Sequence, residues 1–205
     1  ENAAAVRQLL TGLRERGLPR DPKYLFIIDG GKALRTGIEE VFGREQEVQR
    51  CRNHKIENVM GELPKEQQDQ TRRLMRAAFK LSSAEEGEKR LEQIARQLEY
   101  DYASAARSLR EGIKEMFTLQ RLKIPASLHK CLATTNLIES PHSGVRKRTR
   151  NVCRWRDADM AERWAASAWL LTEKHFRRID GHQDLWTLAA LLGRDVSESK
   201  KENVA

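Results

Sequence analysis

The run Tyr24-Leu25-Phe26-Ile27-Ile28 constrains the fold of this chain more than any other segment. It is short, unbroken and rich in aromatic and β-branched residues. Asp21-Pro22 precedes it and Asp29-Gly30-Gly31 ends it, the pattern of a strand buried on both faces. Ahead of it, Val6, Leu9, Leu10 and Leu13 recur at helical spacing and stop at Gly17-Leu18-Pro19. Behind it, Leu34, Ile38 and Val41 share one helical face that ends at Gly43, and Glu47-Val48-Gln49-Arg50-Cys51 reads as a second strand. Helix, strand, helix, strand over residues 1–54 predicts an α/β unit with a parallel sheet.

From residue 55 to about 130 the periodicity is helical throughout. Three apolar stripes stand out: Leu74, Ala77, Ala78 and Leu81; Leu91, Ile94, Ala95, Leu98 and Tyr102; Leu109, Ile113 and Met116. Pro125 closes this all-helical block. Residues 131–192 read as further helices. Thr134-Thr135-Asn136 offers capping residues for one of them, and the last long helix, from about Ala158 to Arg178, carries Trp164, Ala168, Leu171 and His175 on one side. Residues 193–205 are a polar tail expected to fray. The fold class is therefore α/β, mostly helical.

Several function classes drop out. No stretch approaches the roughly 18 consecutive apolar residues of a membrane span, and the N-terminus has no signal-peptide pattern, so we expect a cytoplasmic protein with no membrane partner. Cys51, Cys131 and Cys153 are odd in number and widely spaced, which argues against a disulfide framework. Gly30-Gly31-Lys32 lacks the spacing of a phosphate-binding P-loop, and none of the histidines joins a Ser or Cys in a nucleophile motif. The 38 Lys and Arg against 30 Asp and Glu leave a net charge of +8, which favours polyanionic partners through counterion release.

Three groups of residues could carry chemistry. Asp29 ends a buried strand, where α/β sheets collect ligands, with Gly30-Gly31 allowing a sharp turn; it could equally be a turn-forming Asp-Gly. Glu139 falls in the first turn of its helix, where the helix dipole alone would favour it. Next to it, however, Arg146, Lys147, Arg148, Arg150, Arg154 and Arg156 follow with no acidic residue before Asp157. That run, with Trp155 inside it, suits phosphate contacts better than a solvated helix face. Cys51-Arg52-Asn53-His54 is a C-x-x-H. Zinc would need further ligands from scattered residues such as His129, Cys131 or Cys153, so a buried Cys51 and a hydrogen-bonding His54 near the site are favoured.

Three ordered motifs together are far more specific than any one. Phe26 to Leu34, Val48 to Lys55 with Asn58, and Leu132 to Ser140 resemble the bacterial Mutator-type insertion-sequence transposases, over about Glu1 to Leu192. The resemblance implies a DDE transposase with a ribonuclease H-like catalytic fold and an all-α insertion near residues 55–130. It implies that Asp29 is the second catalytic Asp, that Glu139 is the catalytic Glu and that Cys51 and His54 are the family's C-x-x-H. Asn136, one helical turn earlier, would orient Glu139. Such carboxylates suit two Mg²⁺ (or Mn²⁺) ions about 3.5–4 Å apart. The implied partners are element-end and target DNA, with a homodimer as one assembly open to the full-length enzyme, nucleoid-associated when bound to DNA.

One family feature is missing. The first catalytic Asp lies on an earlier strand, and Asp21, in an Asp-Pro turn, cannot replace it. We therefore expect a truncated ribonuclease H-like core, the C-terminal part of a transposase, inactive alone. Two rivals stand beside this: a non-catalytic helical DNA-binding protein that works through 146–156, and a zinc-stabilised module built on Cys51 and His54.

Overall fold

The structure, a computed structural model, describes residues 2–19 and 22–194. Asp21 and the polar tail from 195 onward lie outside the described residues. Helix α1 (Ala3–Glu15) starts at Asn2, whose side chain accepts from the Ala4 N–H at 2.9 Å, and the chain leaves it through Gly17 at φ +105°. Strand β1 (Leu25–Ile28), helix α2 (Lys32–Phe42) and strand β2 (Glu47–Arg50) follow. The two strands pair in parallel, Leu25 opposite Glu47 and Ile28 opposite Arg50.

Side chains of β1 alternate as a strand requires. Phe26 and Ile28 pack with Leu10, Leu34, Ile38 and Val48, while Leu25 and Ile27 pack against Leu119, Leu128 and Leu132. Both faces are covered, yet only Ile28 is fully buried; Leu25, Phe26 and Ile27 are partly buried, short of the burial expected from sequence. The reason is an open edge: among the described residues β2 is the only strand beside β1. Tyr24 falls just outside the strand, its N–H taken by Gln46 Oε1 at 2.8 Å. Cys51 leaves β2 to become the N-cap of the next helix, its N–H donating to the Ile28 carbonyl at 2.7 Å.

Helices α3 (Arg52–Gly61), α4 (Lys65–Phe79), α5 (Ala84–Leu98) and α6 (Ala103–Arg110) form a block around one core that runs in sequence from Ile56 to Phe117. A 3-10 turn (Lys114–Phe117) and short helices α7 (Thr118–Arg121) and α8 (Ala126–Leu132) return the chain to the sheet. Leu91, Ile94, Ala95, Leu98, Leu109 and Met116 are buried as their spacing predicted. Helix α4 is turned relative to its expected stripe: Thr71, Met75, Ala78 and Phe79 go inside and Ala77 stays out. Aromatic packing decides this, because Phe79 meets Phe117 at 5.8 Å between ring centroids. Gly87 lets α5 close onto that pair; a Cβ there would sit 2.2 Å from Phe117 Cε1.

Arg52 ties the block to the sheet. Its buried guanidinium donates to the carbonyls of Met116 (3.0 and 2.8 Å) and Phe79 (3.3 Å) and to Gln120 Oε1 (2.7 Å), and lies 5.0 Å over the Phe79 ring. Burial lowers its pKa to about 10.

Helices α9 (Asn136–Thr149) and α10 (Ala158–Glu173) pack on each other, followed by a 3-10 turn (His182–Asp184) and α11 (Leu185–Leu191). The expected helix from Ala158 to Arg178 ends at Glu173, so His175 lies beyond it. Its covered stripe also differs. Ala168 and Thr172 are buried with Ala161 and Ala165 partly so, whereas Trp164 and Leu171 are 46% and 48% exposed. Close approach of α9 explains it, since a Cβ on Gly144 would lie 2.8 Å from Thr172 Cγ2, and only small residues fit such a contact. No helix among the described residues is long and apolar enough to cross a membrane.

Candidate active site

Asp29 is the first residue beyond β1. Its Oδ1 accepts the Gly31 N–H at 2.9 Å, so the turn role foreseen for it is real, and among the described residues Oδ2 has no hydrogen bond. Gly30, at φ +105°, runs over the side chain of Arg50; a Cβ there would sit 2.3 Å from Arg50 Nε. Arg50 is only 5% exposed and was not singled out from sequence. It donates through Nη1 to the Glu111 carbonyl (3.2 Å) and through Nη2 to Glu111 Oε2 (3.1 Å), while its Nε has no partner among the described residues. A long cation at the inner end of a strand, beside a glycine-rich turn, was the signal for it.

Lys55 completes this layer. Fully buried, it donates to the Ser108 carbonyl at 2.6 Å and to Glu111 Oε2 at 3.3 Å. Burial first, then the charge of Arg50, lowers its pKa to about 8. Burial works to raise the Glu111 carboxyl, but Arg50 and Lys55 outweigh it and hold Glu111 below its ordinary value.

Glu139 lies in the first turn of α9 and does not stand alone there. Thr135 Oγ donates to Glu139 Oε1 at 2.5 Å, and His54 Nε2 lies 3.5 Å from the same oxygen. The Thr135 N–H donates to Cys51 Sγ at 3.4 Å; Thr135 Oγ is also 3.3 Å from Cys51 Sγ and 3.3 Å from His54 Nδ1. A hydroxyl has one proton. With that proton on Glu139, Thr135 Oγ is left to accept from the Cys51 thiol and from His54 Nδ1–H. The C-x-x-H is thus folded onto the start of α9, joining Cys51, His54, Thr135 and Glu139. Sequence reasoning flagged Thr135 as a cap and missed its hydroxyl. No side-chain cap bond is made at the α9 N-terminus; Thr135 serves Glu139 instead, as its spacing of one helical turn permits. Asn136 makes no side-chain hydrogen bond among the described residues and lines a neighbouring cleft.

Arg146, Lys147 and Arg148 occupy the last turn of α9, Arg150 follows it, and Arg154 and Arg156 lie in the link to α10. Arg156 pairs with Asp157 at 2.8 Å. Arg148 reaches the Gly144 carbonyl at 3.1 Å, and among the described residues Arg146, Lys147, Arg148, Arg150 and Arg154 have no ion-pair partner. Trp155 meets Trp164 edge-on at 6.4 Å, both partly in solvent. A zinc module lacks its ligands, since no group of three or more His, Cys, Asp or Glu among the described residues could hold a metal ion.

Comparison with known proteins agrees with the motifs. Residues 1–176 match the family described as Transposase, Mutator family. The chain is 31% identical over 149 residues to the transposase for insertion sequence element IST2 of Acidithiobacillus ferrooxidans, covering 73% of this chain and 49% of that protein. It therefore spans about half the length of the curated relative it matches. With the α/β pair, the acidic strand end and the C-x-x-H folded onto an acidic helix start, these matches lead to one conclusion: the chain belongs to the Mutator family of transposases.

Proposed function

We propose that this chain supplies two carboxylates and part of the nucleic-acid grip of a DNA-cleaving and strand-joining centre on a partial ribonuclease H-like core. One observation carries the reading. Hydrogen bonds run from the Ile28 carbonyl, next to Asp29, to the Cys51 N–H, and from Cys51 through Thr135 to Glu139. Both acidic positions are thereby tied to the carboxyl end of the parallel strand pair, the end at which α/β sheets bind ligands.

The donor chemistry suits Mg²⁺ or Mn²⁺, because both groups offer hard oxygens and each keeps one oxygen free of hydrogen bonds among the described residues. A divalent cation bound there would supply Lewis-acid polarisation of a phosphodiester. Thr135 fixes the orientation of Glu139, the Gly31 N–H fixes that of Asp29, and the cations of 146–154, without an ion-pair partner among the described residues, take phosphates. No described residue provides a third acidic group beside the two, so the 205-residue chain by itself is expected to bind DNA without cutting it.

Paramagnetic line broadening by Mn²⁺ tests this. Backbone amide signals of Asp29 and Glu139 should broaden at the same low ion concentration and recover in Asp29→Asn or Glu139→Gln. Broadening at one position alone, or at neither, favours the non-catalytic DNA-binding alternative and ends the proposal. Metal-dependent cleavage by this chain, abolished in Asp29→Ala, would overturn its inactivity alone.

A further inference from the structure

A cleft of about 920 Å³ lies between α9 and the segment that follows α10. Lys147 and Arg148 stand on the α9 side, Arg177 and Arg178 on the other, and Phe176 belongs to the same lining. Five permanent cations line it against a single carboxylate, Asp180, which Lys130 already holds at 2.5 Å. Among the described residues, neither Arg177 nor Arg178 has an ion-pair partner. So concentrated a positive lining draws in an anion with several charges.

The ring of Phe176 narrows the choice. It is 55% exposed and stands next in sequence to the two arginines. An aromatic face set among cations takes an unpaired nucleobase by stacking while the cations take its phosphates. In a duplex each base face is already stacked on its neighbour, so duplex DNA would leave the ring in water. Asn136 and Ser140, which bracket Glu139 in α9, line the same cleft, so it begins beside the candidate active site.

We infer that this cleft seats a single DNA strand, its phosphates on Lys147, Arg148, Arg177 and Arg178 and one unpaired base against Phe176. The inference rests on the proposed DNA chemistry of this chain. It adds Phe176, Arg177 and Arg178, which lie outside the basic run read from sequence.

The test is fluorescence anisotropy with the 205-residue chain in EDTA, using a short labelled single strand and the same sequence as a hairpin duplex. Phe176→Ala should weaken the single strand about ten-fold and the duplex by less than about two-fold. Phe176→Trp should restore the single-strand affinity. Arg177→Ala with Arg178→Ala should reduce the slope of log affinity against log salt for the single strand by about 1.4, at about 0.7 per phosphate released. Equal losses for both DNAs would assign the cleft to duplex and overturn the inference, as would unchanged affinity in all variants. All three side chains are exposed, and circular dichroism of each variant checks that it folds. With no metal present and Asp29 and Glu139 intact, this experiment fails or succeeds separately from the Mn²⁺ test.

Discussion

The Thr135 hydroxyl donates to the Glu139 carboxylate at 2.5 Å, and through that hydroxyl Cys51 and His54 reach an acidic residue far away in sequence. The C-x-x-H is thus held against the start of α9, next to the Glu139 carboxylate. His54 can donate to Thr135 and Glu139 together only when both ring nitrogens carry protons.

Removing the hydroxyl alone should therefore loosen Glu139. Thr135→Val is expected to weaken Mn²⁺ binding about 10- to 100-fold, the usual cost of losing a group that orients a ligand, while Thr135→Ser keeps wild-type affinity. Titration of the broadened amides measures both. Equal affinity in the Val and Ser variants would show that the hydroxyl contributes nothing.

Gly30 is held by its positive φ and by Arg50 packed against it. Gly30→Ala should destabilise the fold by roughly 1–3 kcal/mol through backbone strain and the clash with Arg50 Nε. In an Arg50→Ala background the added cost should shrink, because only the strain remains. Urea unfolding of the four proteins in this cycle reads the difference.

Lys55 makes stability depend on pH in a defined window. Burial holds its folded pKa near 8, below the ordinary 10.5, so between these values the unfolded chain binds more protons than the folded one. Stability from this group therefore rises as pH increases from about 8 to about 10.5, by up to about 3 kcal/mol, and is flat below. Lys55→Met should lack that rise. Parallel unfolding curves of both proteins across the window decide it, and identical slopes would refute the assignment.

The basic run should show itself in salt dependence. Replacing Arg146, Arg150 and Arg154 together by Ala should reduce the salt slope for duplex DNA by up to about 2.7, at about 0.9 per phosphate. Arg156→Ala should change it less, because Asp157 already engages that guanidinium. Anisotropy titrations at several salt concentrations distinguish the two.

Much of the secondary structure was legible in the sequence. The β1 run, the helix stop at Gly17 and the stripes of α5 announce themselves through local periodicity and turn chemistry. Helix α10 shows the limit. Its apolar side was read as Trp164, Ala168, Leu171 and His175; of these Ala168 is buried, but the close approach of Gly144 adds Thr172 and leaves Trp164 and Leu171 exposed. Hydrophobicity marks which residues benefit from burial; the separation between two helices decides which of them fit.

The order of elements, the carboxylate at the end of β1 and the cations after Glu139 were determined by the sequence, since each depends on neighbours within a few residues. That Thr135 bridges Cys51 and His54 to Glu139, and that Arg50 lies beneath Gly30, was decided by tertiary structure alone. Those contacts arise only when the helical block between β2 and α9 folds and returns the chain to the sheet, and no local pattern encodes where a long path ends.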